Sequence, residues 1–372
     1  MRNQESVEAV YHILHQMPEP GLAERRTAAY LASRLEQAGY VVRTGVGGTG
    51  VIGELRGAKP GVTVMLRADM DCMVHSVDGK EVYVHSCGHD AHSAMVLTTA
   101  VEMAAAGVEQ GTLKILFQPA EETLQGALGV IADGGLEGVD FLLGLHLRPI
   151  QEARLGQATP ALRHGASAAV AAALTGKTAH GARPHLGINA IDAGAAVLQA
   201  VNAIYVNPAV PATVKATRFQ AGGATNAIPD RADLVFDVRA QTNAVMEELL
   251  EKTAQAVAKG AASIGAAGEA LVAGRVPAAE YDAALTALLA ESIRTVLGET
   301  GLLAPIQTPG GEDFHFYRQH RPALRVAYFG LGADLTPGLH HPDMTFDLRA
   351  LRQGVDILLR ALEHLLGKGG EA

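Results

Sequence analysis

A two-domain α/β protein is the fold class this sequence predicts, on three observations. Three short apolar runs, 62–66, 113–117 and 139–145, alternate with helical patterns over 92–106 and 125–131. Runs of that length, bounded by polar and turn residues, read as buried strands, and their alternation with helices predicts βαβ units and a parallel sheet. From about residue 164 the texture changes to a strand–helix–strand–strand–helix–strand order, which predicts an inserted ferredoxin-like domain. The length, 372 residues, exceeds what one ordinary core holds.

Taken in order, 6–17 and 22–37 read as amphipathic helices, with Gly39 as a C-terminal stop and Ala28, Leu31 and Leu35 facing a core. The Gly-rich stretch 45–50 lacks the strand–loop–helix spacing of a nucleotide fingerprint and reads as a loop. The 62–66 strand runs into Arg67-Ala-Asp-Met-Asp71, the 113–117 strand into Gln118-Pro-Ala-Glu-Glu122, and the 139–145 strand into His146. In open α/β sheets the ligand crevice lies beyond the carboxyl ends of the strands, so Asp69, Asp71, Glu121, Glu122 and His146 should meet there. In the inserted part, 167–174, 213–219, 232–239 and a short piece near 269–271 read as strands, and 189–206 and 244–261 as helices. The predicted division is 1–163 plus 277–372 against 164–276. Beyond it come helices over 281–297 and 348–366, a strand at 324–329, and two polar motifs, Gly310-Gly-Glu-Asp-Phe314 and Gly338-Leu-His-His-Pro342.

Composition narrows the function. Hydrophobic residues make up 48% and charged residues 19%, so the chain is globular throughout. A formal charge of −9 and the lack of any Lys/Arg-rich run argue against nucleic acid or an anionic membrane as partner. No apolar run approaches the roughly 18 residues a bilayer span requires, and the start does not resemble a secretory signal. With Cys72 and Cys87 alone, a disulfide framework is not expected, and a reduced, cytoplasmic setting is.

The chemistry concentrates in Ser86-Cys-Gly-His-Asp-Ala-His92. Thiolate and neutral imidazole suit zinc and similar ions, and Gly88 lets a non-helical backbone aim Cys87 and His89 at one point. The plainer alternative is a polar helix start, with Asp90 as cap and the histidines solvated. Glu121 and Glu122 suit a division of labour in which one binds metal while the other lifts a proton from a water that the metal acidifies. Their plainer alternative is a pair of acids favouring a helix N-terminus.

These motifs, in this order and spacing, resemble the M20 metallopeptidase family, in particular its amidohydrolase branch (subfamily D), which includes N-acyl-amino-acid, hippurate and auxin-conjugate hydrolases. Ala179-His-Gly-Ala-Arg-Pro-His-Leu-Gly187, Ala221-Gly-Gly-Ala-Thr-Asn226 and Gly311-Glu-Asp-Phe314 agree. The Val77-Asp-Gly-Lys80 region and 234–243 are similar to amidohydrolases of the AmhX type. The resemblance covers essentially the whole chain. It implies a zinc-peptidase-like catalytic domain on a mixed sheet, two divalent ions (Zn, Mn, Co or Ni), and an inserted lid and dimerisation domain, hence a homodimer. Carried over by position, Cys87 bridges the ions, His89 and His146 complete one site, and Glu122 and His340 the other. Glu121 is the implied general base, and Asp71 orients a ligating histidine. His180 resembles the lid histidine that stabilises the oxyanion, in related dimers often supplied to the neighbouring subunit. Asn226 and Arg239 resemble lid residues that hold a substrate carboxylate.

The substrate this implies is a small N-acyl amino acid or related amide. A carboxypeptidase or dipeptidase and a catalytically inactive metal-binding relative are the alternatives. Among the remaining candidates, His12, His15 and His85 read as surface or helix-face residues. Asp90 and His92 read as supports of the ligand turn, Cys72 as packing, and Glu312 and Asp313 as braces of the pocket. The family motif favours His340 over His341 as ligand. The chain departs from the family where Asp71-Cys-Met-Val74 replaces the usual Asp-Ala-Leu-Pro, and the stretch from there to Cys87 is short. Substrate preference therefore does not transfer from better-known members.

Overall fold

The computed structural model describes residues 6–308 and 310–367. The chain divides into two compact units, one of Met1–Arg163, Glu280–Gln307 and Glu312–Ala372, the other of His164–Ala279 with Thr308–Gly311.

The first unit is built on a seven-stranded sheet. Its order is Val41–Val46, Gly50–Arg56, Gln110–Gln118, Lys59–Asp69, Phe141–Pro149, Arg325–Leu335 and Ala158–Thr159. The four central strands pair in parallel, as the alternation predicts. The outer pairings are antiparallel, so the sheet is mixed, as the family resemblance implies, and only the wholly parallel sheet suggested by the alternation is corrected. Two of the outer strands flank the stretch read as a Gly-rich loop. Gly45, Gly47, Gly48, Gly50 and Gly53 interrupt that segment and hide the strand period, although Val46 and Val51 are fully buried.

Burial on both faces explains the near-continuous apolar runs of the central strands. The helix His89–Ala106 is likewise buried from His89 to Ala100. It packs with helices Val7–His15 and Arg349–Leu366 around Leu66, Met95, Leu97, Leu143, Phe329 and Leu358. Each such side chain contributes about 1.5–3 kcal/mol through removal from water. The helix expected over 22–37 begins at Arg25, because Leu22 takes a left-handed conformation (φ 65°). Between Asp71 and Ser86 the chain forms a hairpin, Met73–Val77 with Lys80–Val84, that periodicity did not signal.

The second unit carries a four-stranded antiparallel sheet in the order Ala212–Ala221, Arg231–Ala240, Ala166–Thr175, Ala267–Val276. In chain order that is 2-3-1-4, with helices Ala190–Asn202 and Asn243–Ser263 packed together, the predicted ferredoxin-like topology. Val170, Leu174, Val197, Phe236 and Val257 form its core. Among the described residues, no helix is long and apolar enough to cross a membrane.

Candidate metal centre

The parallel pairing sets Asp69 opposite Gln118, Arg67 opposite Gly144 and His146 opposite Gly330, so the strand ends deliver their polar residues to one place. Gly88, with φ 89°, ends the approach to the His89–Ala106 helix in the left-handed region where a side chain is strained. That turn sets Cys87 Sγ 3.4 Å from His146 Nε2. Ligand atoms of Cys87, His89 and His146 lie within 4.8 Å of one another, as do those of Cys87, Glu122 and His340. Both groups share Cys87. Glu121 and Glu122 form a third such group with His89. His340, itself at φ 63°, donates its backbone N–H to Ser86 O at 2.6 Å and brings Nε2 to 3.6 Å from Glu122 Oε1. His341 instead accepts the Asp343 N–H.

The hydrogen bonds fix how these donors face. His89 Nδ1 lies 2.9 Å from Asp71 Oδ1, and His146 Nδ1 lies 2.6 Å from the Leu147 carbonyl. Carboxylate and carbonyl oxygens only accept, so each Nδ1 carries the hydrogen and each Nε2 faces the cluster. His89 Nε2 and Glu122 Oε1 are buried with no hydrogen-bond partner. Orphaned buried polar atoms of this kind, on a thiol, imidazole and carboxylate set, fit divalent cations.

Electrostatics agree. Burial, then Glu122, pushes the Cys87 thiol well up, and burial lifts Glu122 too. Burial, then Glu312 and Asp313, raises Glu121 well above the usual carboxylate range. Burial and the neighbouring His92 and Arg148 lower His146. Burial opposes charge on His89, but Asp69, the Cys87 sulfur and Asp71 outweigh it and raise its proton affinity. Cys87, His89, Glu121 and Glu122 hold their protons and His146 stays neutral, where cations would supply the charge.

Asp69, His89 and His92 also come close together. His92 is fully committed, however: Nδ1 donates to Asp69 Oδ1 (2.7 Å) and Nε2 accepts the Leu147 N–H (3.0 Å). It steadies the backbone beside His146, in line with its expected supporting part. Beneath lies Arg67, fully buried and bonded to Asp69, Gln118, Glu312 and Asp313. Tyr328 donates to Glu312, and Gln118 to Asp313. The bracing expected of Glu312 and Asp313 has its partner in Arg67, whose role the sequence signalled only as a charge directly after an apolar run. His85, expected at the surface, is buried, and His15 bonds the buried Asp90 at 2.6 Å.

His180, Asn226 and Arg239 belong to the second unit. His180 and Asn226 are neighbours there: Ala179–His180 pairs with Ala227–Ile228, and the Gly181 N–H meets Asn226 O at 2.7 Å. The Ala182 N–H donates to His180 Nδ1 (3.1 Å). Arg239 lies on the Arg231–Ala240 strand and forms an ion pair with Asp237 (3.0 Å).

A profile of Peptidase family M20/M25/M40 matches residues 65–364. The probable hydrolase sll0100 of Synechocystis sp. is 34% identical over 368 residues, 92% of this chain and 91% of its own length. The N-acetyl-L-cysteine deacetylase of Bacillus subtilis is 29% identical over 374 residues, 96% and 88% of the two chains. Among solved structures, Bacillus subtilis YXEP, a dinuclear metal binding peptidase from M20 family, superposes with a TM-score of 0.81 at 26% identity, covering 97% of each chain.

Proposed function

Because the chain belongs to peptidase family M20/M25/M40, we propose that it is a metal-dependent amidohydrolase that cleaves small N-acyl amino acids or related amides. The observation that carries this is the sharing of Cys87 between two donor sets, with Glu121 beside them. Cys87, His89 and His146 would hold one ion, and Cys87, Glu122 and His340 the other. When bound, two divalent ions supply Lewis acidity, polarising the scissile carbonyl and bringing a water towards ionisation near neutrality.

Glu121 takes the proton of the attacking water on its carboxylate and delivers it to the leaving amine nitrogen. Asp71 holds the His89 tautomer with Oδ1 and accepts the Glu122 N–H with Oδ2 (3.0 Å), so one carboxylate orients both neighbours. For His180, Asn226 and Arg239 the support is the resemblance, which gives His180 the oxyanion and the other two a substrate carboxylate. The Ala182 N–H at Nδ1 leaves the neutral His180 with its hydrogen on Nε2, the form such a donor needs. A homodimer through the second unit belongs to the same proposal, supported by the largely exposed edge strand Ala212–Ala221. Two free, buried cysteines fit a reduced setting.

The test pairs elemental metal analysis with a panel of N-acetyl and N-benzoyl amino acids and dipeptides. Two ions per chain and hydrolysis of the N-acyl substrates are expected. Glu121→Gln should keep both ions and lose about a hundred- to ten-thousand-fold in kcat. Protein that retains no metal and hydrolyses nothing would sink the proposal, and a preference for dipeptides would move it to a peptidase.

A further inference from the structure

We propose that Glu24 is a positioning residue for Glu121 and Glu122, its carboxylate holding the backbone turn that carries both. The kinetic part rests on the amidohydrolase reading; the structural part does not.

Glu24 is completely buried at the start of the Arg25–Gln37 helix, yet its side chain does not cap that helix. Glu19 does so instead, accepting the N–H groups of Arg26 (3.0 Å) and Thr27 (2.9 Å). Glu24 points elsewhere: Oε1 accepts the Ala120 N–H at 2.8 Å, 96 residues away in sequence, and Oε2 accepts the Thr49 hydroxyl. Ala120 is the residue before the two glutamates and lies at φ 52°, in the left-handed region that a side chain disfavours. A backbone held there needs outside support, and the Glu24 carboxylate bonds that very residue.

The segment leading to Glu24 touches the site on a second side. The Cys72 N–H donates to Glu19 O at 2.9 Å, and Pro20 bridges to Cys72, directly after Asp71. Asp71 in turn holds His89 and the Glu122 N–H. Gly21 lies against the turn itself: a Cβ there would sit 3.0 Å from Ala120 Cα. Residues 19–24 therefore fasten both backbone segments between which the donors are hung. An apolar side chain would fill the Glu24 site without burying a charge, so packing alone gives no reason for a carboxylate here.

The experiment compares Glu24→Ala, Glu24→Gln and Glu24→Asp with Leu358→Ala, a buried control in the Arg349–Leu366 helix. Hydrogen–deuterium exchange of the 119–126 segment is read in the metal-free proteins, and metal content, kcat and KM in the loaded ones. With Glu24→Ala, exchange in that segment should quicken about tenfold or more, as a lost buried acceptor implies. Its kcat should fall roughly ten- to a hundredfold, more than metal content falls and with KM little changed, as expected of a misplaced base. Glu24→Gln can still accept from Ala120 and donate to Thr49, and should stay within about threefold of the parent on both counts. Glu24→Asp keeps the charge but not the reach, and it should quicken exchange and lower kcat even if the alanine variant fails to fold. Unchanged exchange in the alanine and aspartate variants, or changes that Leu358→Ala reproduces, would overturn the proposal. A parent protein that hydrolyses nothing would defeat the amidohydrolase reading and leave the exchange result to decide the rest.

Discussion

Arg67→Met removes a fully buried guanidinium that donates to Asp69 at 2.7 Å, to Gln118 at 2.9 Å, and to Glu312 and Asp313 at 3.0 Å each. Methionine fills most of the same volume, so the loss is chiefly electrostatic. The stranded acids keep other donors: His92 for Asp69, Tyr328 and the Phe314 N–H for Glu312, Gln118 and the Ala127 N–H for Asp313. They do not keep a counter-charge of the same strength. Removing one partner of a buried ion pair costs about 3–5 kcal/mol. For a unit of this size, each kcal/mol moves the melting point about 2–4 °C, so calorimetry of the metal-free protein near pH 7 should show a drop of roughly 6–20 °C. The sign with pH follows from Asp313. Burial lifts its carboxyl to about 8, with Arg67 pulling against the rise and Glu312 adding to it. An acid whose folded value is raised binds extra protons in the folded state, and stability falls as rising pH strips them. Without Arg67 that value rises further, so the deficit should stay level below about pH 7 and widen as pH rises through about 8. A melting point within about 2 °C of the parent, or a deficit flat in pH, would refute the reasoning.

Gly88→Ala places a Cβ at φ 89° and 3.2 Å from Leu147 Cδ1, and should weaken metal affinity about tenfold or more in a chelator competition while the fold survives; parental affinity would deny the turn its aiming role. Asp282 caps the Ala283–Leu297 helix, accepting the Leu285 N–H at 2.8 Å and pairing with Arg325. Burial alone would raise its carboxyl, but Arg325 and the Leu285 N–H hold it below the usual range. Its contribution is therefore present above the unfolded value of about 4 and lost as pH falls through the lower folded one. Asp282→Ala should cost about 1 kcal/mol at pH 7 and less near pH 2 by urea unfolding, and a gap of equal size at both pH values would argue against the cap.

What could be read from the sequence divides along a physical line. Cys87, His89, Glu121, Glu122 and His146 were legible because each sits where an apolar run starts or stops, and the run itself announces a strand or a helix. His340 has no such neighbour, and only its resemblance to the family motif singled it out. The antiparallel edge strands were hidden by glycines that break the period, and the 73–84 hairpin by exposing most of its residues. His85, Glu24 and Arg67 were illegible for another reason. Burial of a polar side chain is decided by a partner far away in sequence, 245 residues in the case of Arg67 and Glu312, and periodicity carries no term for that. One part of the signal is nonetheless local. Arg67 directly follows the apolar run 62–66 in a strand buried from Val64 to Asp69, and an unpaired charge there would be prohibitive, so its position calls for acidic partners. Glu24 offers no such clue, since an acid at a helix start is ordinary. It is the buried bond to Ala120 that sets it apart from Glu19, which lies five residues earlier and accepts the N–H groups of the helix's first turn.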